Sequence, residues 1–304
     1  MNSHFGEFAA LLTAVFWTIT ALAFESASKK VGSLAVNILR LSIAFVFLSI
    51  YTWFSRGLLF PSDASLHGWI WLALSGLVGF VIGDLLLFQA FVVIGARISM
   101  LIMSLAPPIA AITGWLILDE KFTLQNTAGM ALTLLGIALV VLNRTPKAGI
   151  AGKRGMRFNY PVAGLLLAFG GAAGQGVGLV LSKLGMREYD AFASSQIRVI
   201  AGIIGFAVVF TIIGKWRSVQ QAFSNRPAMK RLTLGAFFGP FLGVSFSLLA
   251  IQHTNTGVAS TIMSIVPVLI IAPAVLINKE KLTLREVLGA LLAVAGVSLF
   301  FITF

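Results

Sequence analysis

Residues Met103–Leu124 read MSLAPPIAAITGWLILDEKFTL, and residues Met263–Leu284 read MSIVPVLIIAPAVLINKEKLTL. The stretches lie 160 residues apart, and in that register Met-Ser, one proline (Pro107 with Pro267) and Glu-Lys-x-Thr-Leu coincide. Each is otherwise apolar over about the length of a membrane helix. The polar and proline matches carry the weight, because an apolar composition by itself raises the chance of coincidence. The same offset aligns Gly129 with Gly289 and Gly136 with Gly296. Near the front of each half, ILRLSIAF from Ile38 resembles QIRVIAGI from Gln196, which sets Arg40 against Arg198 at an offset of 158.

The rest of the chain has the same character. Of 304 residues, 58% are hydrophobic and 11% charged. A soluble domain carries about 25% charged residues, and no soluble fold of this size buries so much apolar surface. Apolar runs fall at roughly 8–24, 34–54, 69–92, 98–118, 122–142, 161–182, 191–213, 232–251, 257–277 and 287–303. The expected fold is an all-α polytopic membrane protein with ten transmembrane helices. The first 30 residues show neither a basic n-region nor a small-residue cleavage site, so the first run is expected to stay in the membrane. Trp53, Trp69, Trp71 and Trp216 stand near run ends, where interfacial aromatics belong.

The one long polar gap, residues 143–160, holds Arg144, Lys147, Lys153, Arg154 and Arg157. It reads as a basic linker between a first five-helix repeat, residues 1–142, and a second, residues 161–304. Five is odd, so the second copy enters the membrane from the opposite side. The repeats are therefore expected to be inverted, an organisation that places a binding site near the midplane at their interface.

The net charge of +12 is distributed unevenly. Arg56, Lys121, Lys183 and Arg187 fall on the face of the N-terminus. Sixteen basic residues fall on the other: Lys29, Lys30, Arg97, the five of the linker, Lys215, Arg217, Arg226, Lys230, Arg231, Lys279, Lys281 and Arg285. The positive-inside rule then turns both termini away from the cytoplasm.

Three charges lie well inside the runs: Arg40, Asp84 and Arg198. Each is costly in hydrocarbon and so belongs against a cavity or a partner. Arg40 and Asp84 sit at similar depth from the same face and can pair, while snorkelling remains open to Arg40. Arg198 either pairs with Asp190 or Glu188 or points at an anionic group of a substrate. Gly76, Gly79 and Gly83 form a smooth stripe for close approach of a helix or ligand. Pro107 and Pro267 read as matched kinks, with Ser104 and Ser264 three residues upstream to bond the freed carbonyls. Gln89, Gln175, His253 and the mid-run Trp17 complete the polar and aromatic candidates. Glu25 and Lys29 form an ordinary i,i+4 pair.

With no cysteine and no metal-ligand cluster, no metal site or cofactor is expected. There is no phosphate-binding loop of the ATP-driven pumps and no nucleophile–base set, so the chain is not read as an enzyme.

Taken with GDLLLFQAFVVIGARISMLIMSLAPPIAAITGWLILDEKFTL and its Gly-rich last run, the chain resembles the drug/metabolite transporter superfamily, EamA type, over residues 8–303. The resemblance implies alternating-access movement of small metabolites such as amino acids, more often export than uptake. It also implies a central cavity lined by runs 1, 3, 4, 6, 8 and 9, and so by Trp17, Asp84, Ser99, Ser104, Pro107, Gln175, Ser264 and Pro267. Such proteins are described with cytoplasmic termini, the reverse of the charge count. A secondary active transporter in the cell (inner) membrane is the leading expectation; a passive pore or lipid-handling protein, or a structural subunit, are the others. The expected partners are a small-molecule substrate, the lipid bilayer and, for a coupled carrier, H+ or Na+. No nucleic acid is expected, and the chain reads as a monomer or homodimer.

Overall fold

The structure, a computed structural model, describes residues 4–142, 161–269 and 284–301, and among these there is no strand. The long helices are α1 (Phe5–Val31), α2 (Ser33–Arg56), α3 (Leu66–Gly76), α4 (Asp84–Met103), α5 (Ala106–Leu118), α6 (Leu124–Leu142), α7 (Val162–Met186) and α8 (Ala191–Ile213). They are followed by α9 (Trp216–Ser224), α10 (Arg226–Ala236), α11 (Val244–His253), α12 (Thr256–Met263), α13 (Val266–Leu269) and α14 (Leu284–Ser298). Among the described residues, six stretches are long and apolar enough to cross a membrane: Phe5–Val31, Ser33–Arg56, Leu66–Ile94, Val162–Met186, Ala191–Ile213 and Arg226–His253. Four shorter apolar stretches, Ala106–Leu118, Leu124–Leu139, Thr256–Leu269 and Val287–Ser298, supply the rest. The ten runs of the sequence are thus all represented. The linker and residues 270–283, which include the end of the run 257–277, lie outside the described residues.

Local chemistry sets the ends. Gly57 and Gly214 close α2 and α8 in the left-handed conformation that glycine adopts without a Cβ penalty. Ser65, Asp190 and Asn225 cap α3, α8 and α10 by accepting the amide hydrogens of Gly68, Ala193 and Ala228. Two expectations are corrected. The gap between the runs 69–92 and 98–118, at Gly95-Ala96-Arg97, does not interrupt the helix, which runs from Asp84 to Met103, whereas its second-half counterpart is broken at Thr254 and Asn255. The prolines are not mid-helix kinks either. Each chain breaks first, at Ser104–Leu105 and Ser264–Ile265, and restarts with Pro107 or Pro267 in the first turn of α5 or α13. There the missing N–H has no intrahelical acceptor to lose. At the second break the Ser264 hydroxyl donates to the Thr261 carbonyl at 2.7 Å.

A matched pair of wide turns went unread in the sequence. Leu77–Gly83 and Phe237–Gly243 are both π-helical and occupy the same seven positions 160 residues apart. Each ends with an i→i−5 bond, Asp84 N–H to Gly79 O and Val244 N–H to Gly239 O. They join α3 to α4 and α10 to α11. Such single-turn bulges gather at functional sites.

Inversion is visible at α6 and α14. A Cβ on Gly129 would meet Gly296 O at 3.0 Å, and one on Gly136 would meet Gly289 O at 2.6 Å. Aligned positions are therefore crossed, 129 with 296 and 136 with 289. Only two copies of one helix running antiparallel about a two-fold axis make that pattern. The same symmetry exchanges α1 and α7: α1 packs on α10, α11 and α12, and α7 on α3, α4 and α5. Approach between α6 and α14 is close enough that Gly136→Ala would set its Cβ 2.3 Å from the Ala293 nitrogen. Overpacking of this kind costs about 1–3 kcal/mol, so the variant is expected to unfold at lower temperature in detergent; an unchanged transition would mean the pair has slack.

Candidate functional site

A cavity of about 180 Å³ lies between the halves. Two helices present equivalent faces to it. Trp17, Thr20, Ala21 and Phe24 of α1 recur at i, i+3, i+4 and i+7, and so do Asp84, Leu87, Phe88 and Phe91 of α4. The helix breaks contribute Ser104 with Pro107, and Ser264 with Pro267. The second wide turn gives Gly239 and Pro240; the first gives Phe80, which aligns with Pro240. Gln175 projects from α7, Arg40 from α2 and Arg198 from α8.

The charges form one cluster. Arg40, Asp84 and Arg198 are 6%, 5% and 4% exposed. Arg40 Nη2 pairs with Asp84 Oδ2, and its Nε donates to Asn37 Oδ1 at 3.0 Å. Gln175 Nε2 donates to Asp84 Oδ1 at 2.6 Å and to the wide-turn carbonyl of Gly79 at 3.3 Å. Both oxygens of Asp84 are therefore engaged. The Arg40 guanidinium also lies 5.1 Å from the Phe88 ring centroid and 5.6 Å from that of Phe24. Both arginines stand over Phe80, Arg40 at 5.8 Å and Arg198 at 4.8 Å. Arg198 has no ion pair among the described residues, and its enclosed Nε has no hydrogen-bond partner. The pairing of Arg198 with Asp190 is not made; Asp190 caps α8 instead. Val244 occupies the place of Asp84 in the second half, so the cluster is asymmetric.

A second cluster, which the sequence reading did not single out, links the two halves on the face of the N-terminus. Glu120, 7% exposed, accepts the Thr256 N–H on both oxygens at 3.0 and 2.9 Å and the Thr256 hydroxyl at 2.6 Å. It thereby caps α12 from the other half. Lys183 Nζ donates to Glu120 Oε1 at 2.8 Å and to Thr254 O at 2.7 Å. The signal was available: Glu120 is the glutamate of the repeated Glu-Lys-x-Thr-Leu. On the same face Tyr189 donates to Asp63 Oδ1 at 2.8 Å and accepts from Arg56 Nη1 at 3.1 Å. Burial first, with Asp63 beside it, pushes the Tyr189 hydroxyl up to about 12.

Of the twelve residues singled out, Trp17, Arg40, Asp84, Ser104, Pro107, Gln175, Arg198, Ser264 and Pro267 line the cavity. Three do not. Gln89 is exposed, because it falls off the face that carries Asp84, Leu87, Phe88 and Phe91. His253 sits at the end of α11 edge-on to Phe5, 5.1 Å between centroids. Ser99 is buried in α4 away from the cavity. The glycine stripe serves helix packing: a Cβ on Gly76 would meet Arg198 O at 2.4 Å, and one on Gly174 of α7 would meet Gly83 Cα at 2.7 Å. The implied lining by runs 1, 3, 4, 6, 8 and 9 omitted runs 2 and 7, which supply both arginines. Among the described residues no group of three His, Asp or Glu is placed to hold a metal ion.

Comparison with known proteins places this geometry. The chain is similar to an uncharacterized membrane protein of Saccharomyces cerevisiae, 25% identical over 195 residues, which cover 60% of this chain and 46% of that one. It is also similar to human solute carrier family 35 member G1, 24% identical over 149 residues, 48% of this chain and 40% of that one. The chain thus spans less than half the length of these curated relatives. A protein of known crystal structure superposes with a TM-score of 0.69 over 97% of this chain and 95% of its own, at 19% identity, a likeness of fold. The model of the EamA-like transporter family matches residues 4–142 and again residues 162–302. This multi-pass membrane protein belongs to the EamA-like transporter family.

Proposed function

We infer that the chain is a secondary active transporter that exports a small organic metabolite, such as an amino acid, by alternating access. The observation that supports this reading best is a buried, charged cavity between two inverted halves, with a hydrogen-bonded seal on one face. The cavity's residues come from both repeats, so rocking of the halves would change its access. No ATP-binding motif occurs in the sequence, so a solute or ion gradient supplies the energy. The uneven distribution of basic residues supports a cytoplasmic linker face and termini on the opposite side of the inner membrane.

Counterflow in proteoliposomes tests the carrier reading. Saturable exchange of labelled solute against unlabelled solute is expected. Flux that rises linearly with concentration at far higher turnover would make the protein a pore. A reporter fused after Phe304 tests the orientation, and a cytoplasmic signal there would reverse it.

A further inference from the structure

Arg198 is the buried group of the cavity that the protein leaves unmatched. Its neighbours are settled: Asp84 is held by Arg40 on one oxygen and by Gln175 on the other. Its Nε is enclosed without a hydrogen-bond partner, and its guanidinium lies over Phe80 at the cavity wall. The backbone of Arg198 is fixed from behind, against Gly76, where no Cβ would fit. A guanidinium is always charged, and a carboxylate satisfies its planar fork with two parallel bonds. A buried cation without its pair is costly, so the site is built for an anion that arrives from outside.

Charge balance sets the valence. Two arginines against one aspartate leave the cluster at +1, which one negative charge neutralises. It also sets what the anion lacks. An ammonium group would enter beside two arginines, whose like charge disfavours it, and the one carboxylate among the cavity-lining residues, Asp84, already holds Arg40 and Gln175. Phe24, Phe88, Leu87 and Met263 make the remaining wall apolar. We propose that the cavity takes organic monoanions, a carboxylate on an apolar body without an ammonium group, and that Arg198 is the carboxylate receptor. This rests on the carrier reading above and narrows its cargo from amino acids to their deaminated relatives.

The test uses four ligands of matched size or charge: isocaproate, leucine (the same skeleton with an ammonium), isocaproamide (the same skeleton without charge) and inorganic phosphate. Binding is measured by calorimetry on the purified full chain, and counterflow in liposomes. Isocaproate is expected to bind at least about tenfold more tightly than leucine or isocaproamide, as a charge-assisted bidentate pair should. Arg198→Gln should bring acid and amide to the same affinity. Arg198→Lys, which keeps the charge and loses the fork, should keep the preference at about tenfold weaker binding, and it carries the test where the glutamine variant does not fold. Leucine or isocaproamide binding as tightly as isocaproate, phosphate displacing isocaproate at equal concentration, or an acid preference that survives in Arg198→Gln would each overturn the assignment. The two readings fail separately. Leucine counterflow with no isocaproate binding would sink the receptor and leave the carrier, whereas Arg198-dependent isocaproate binding without counterflow would do the reverse.

Discussion

Asp84→Asn is expected to abolish saturable counterflow and to destabilise the folded protein by about 3–5 kcal/mol, the cost of leaving a buried charge unpaired. Position in the sequence alone predicts a variant that folds normally and fails to transport. The structure adds the stability cost, because Asp84 is the counter-ion of Arg40, and asparagine leaves two buried arginines with no anion beside them. A neutral isostere keeps the hydrogen-bonding shape and removes only the charge. The double variant Arg40→Gln/Asp84→Asn should therefore regain much of the lost stability while still failing to transport, a coupling that a double-mutant cycle reads directly. Thermal unfolding in detergent and counterflow in liposomes are the measurements. A single Asp84→Asn variant with an unshifted transition and full exchange would take Asp84 out of both roles.

Glu120→Ala should open the face of the N-terminus. The chain has no cysteine, so one introduced at Ser260, which lines the cavity, reports access without background. Glu120 accepts the Thr256 N–H, shared between its two oxygens, the Thr256 hydroxyl and Lys183, and bonds to a charged group are worth about 1.5–3 kcal/mol each. Losing even one of them from a closed state shifts a two-state equilibrium at least about tenfold. A membrane-impermeant maleimide presented on that face should label Ser260→Cys at least about tenfold faster in the Glu120→Ala background. Lys183→Met should act in the same direction with a smaller effect, since α12 keeps its cap. Labelling that does not change in either background would mean that the seal holds two helices together and gates nothing.

Sequence legibility followed the range of the forces involved. The apolar runs and their odd number per half were plain, because hydrocarbon thickness and positional repeats are local properties. Pairing of Arg40 with Asp84 was also legible, since equal depth from one face is simple arithmetic along two helices. Gln89 was misplaced although its helical phase was readable: 84, 87, 88 and 91 share a face that 89 does not. Glu120 and Thr256 lie 136 residues apart, so the repeated Glu-Lys-x-Thr-Leu marked the glutamate but not its partner. The wide turns left no apolar pattern, only the matched glycines 79 with 239 and 83 with 243. Arg198 needed the fold most. Its candidate partners were nearest in sequence, and only the packed helices show that Asp190 is spent on a cap.

The crossed glycines of α6 and α14 make an isologous contact, the kind two identical subunits use to form a dimer. A surface that is its own partner looks the same from either half. Were the halves to trade conformations, contacts between unlike helices, such as α1 with α11 and α7 with α4, would be exchanged. This one, like that of α2 with α8, would map onto itself. The molecule is in this respect a dimer written as a single chain, and in an alternating-access carrier the α6–α14 seam would be a line about which the halves rock while the seam stays still.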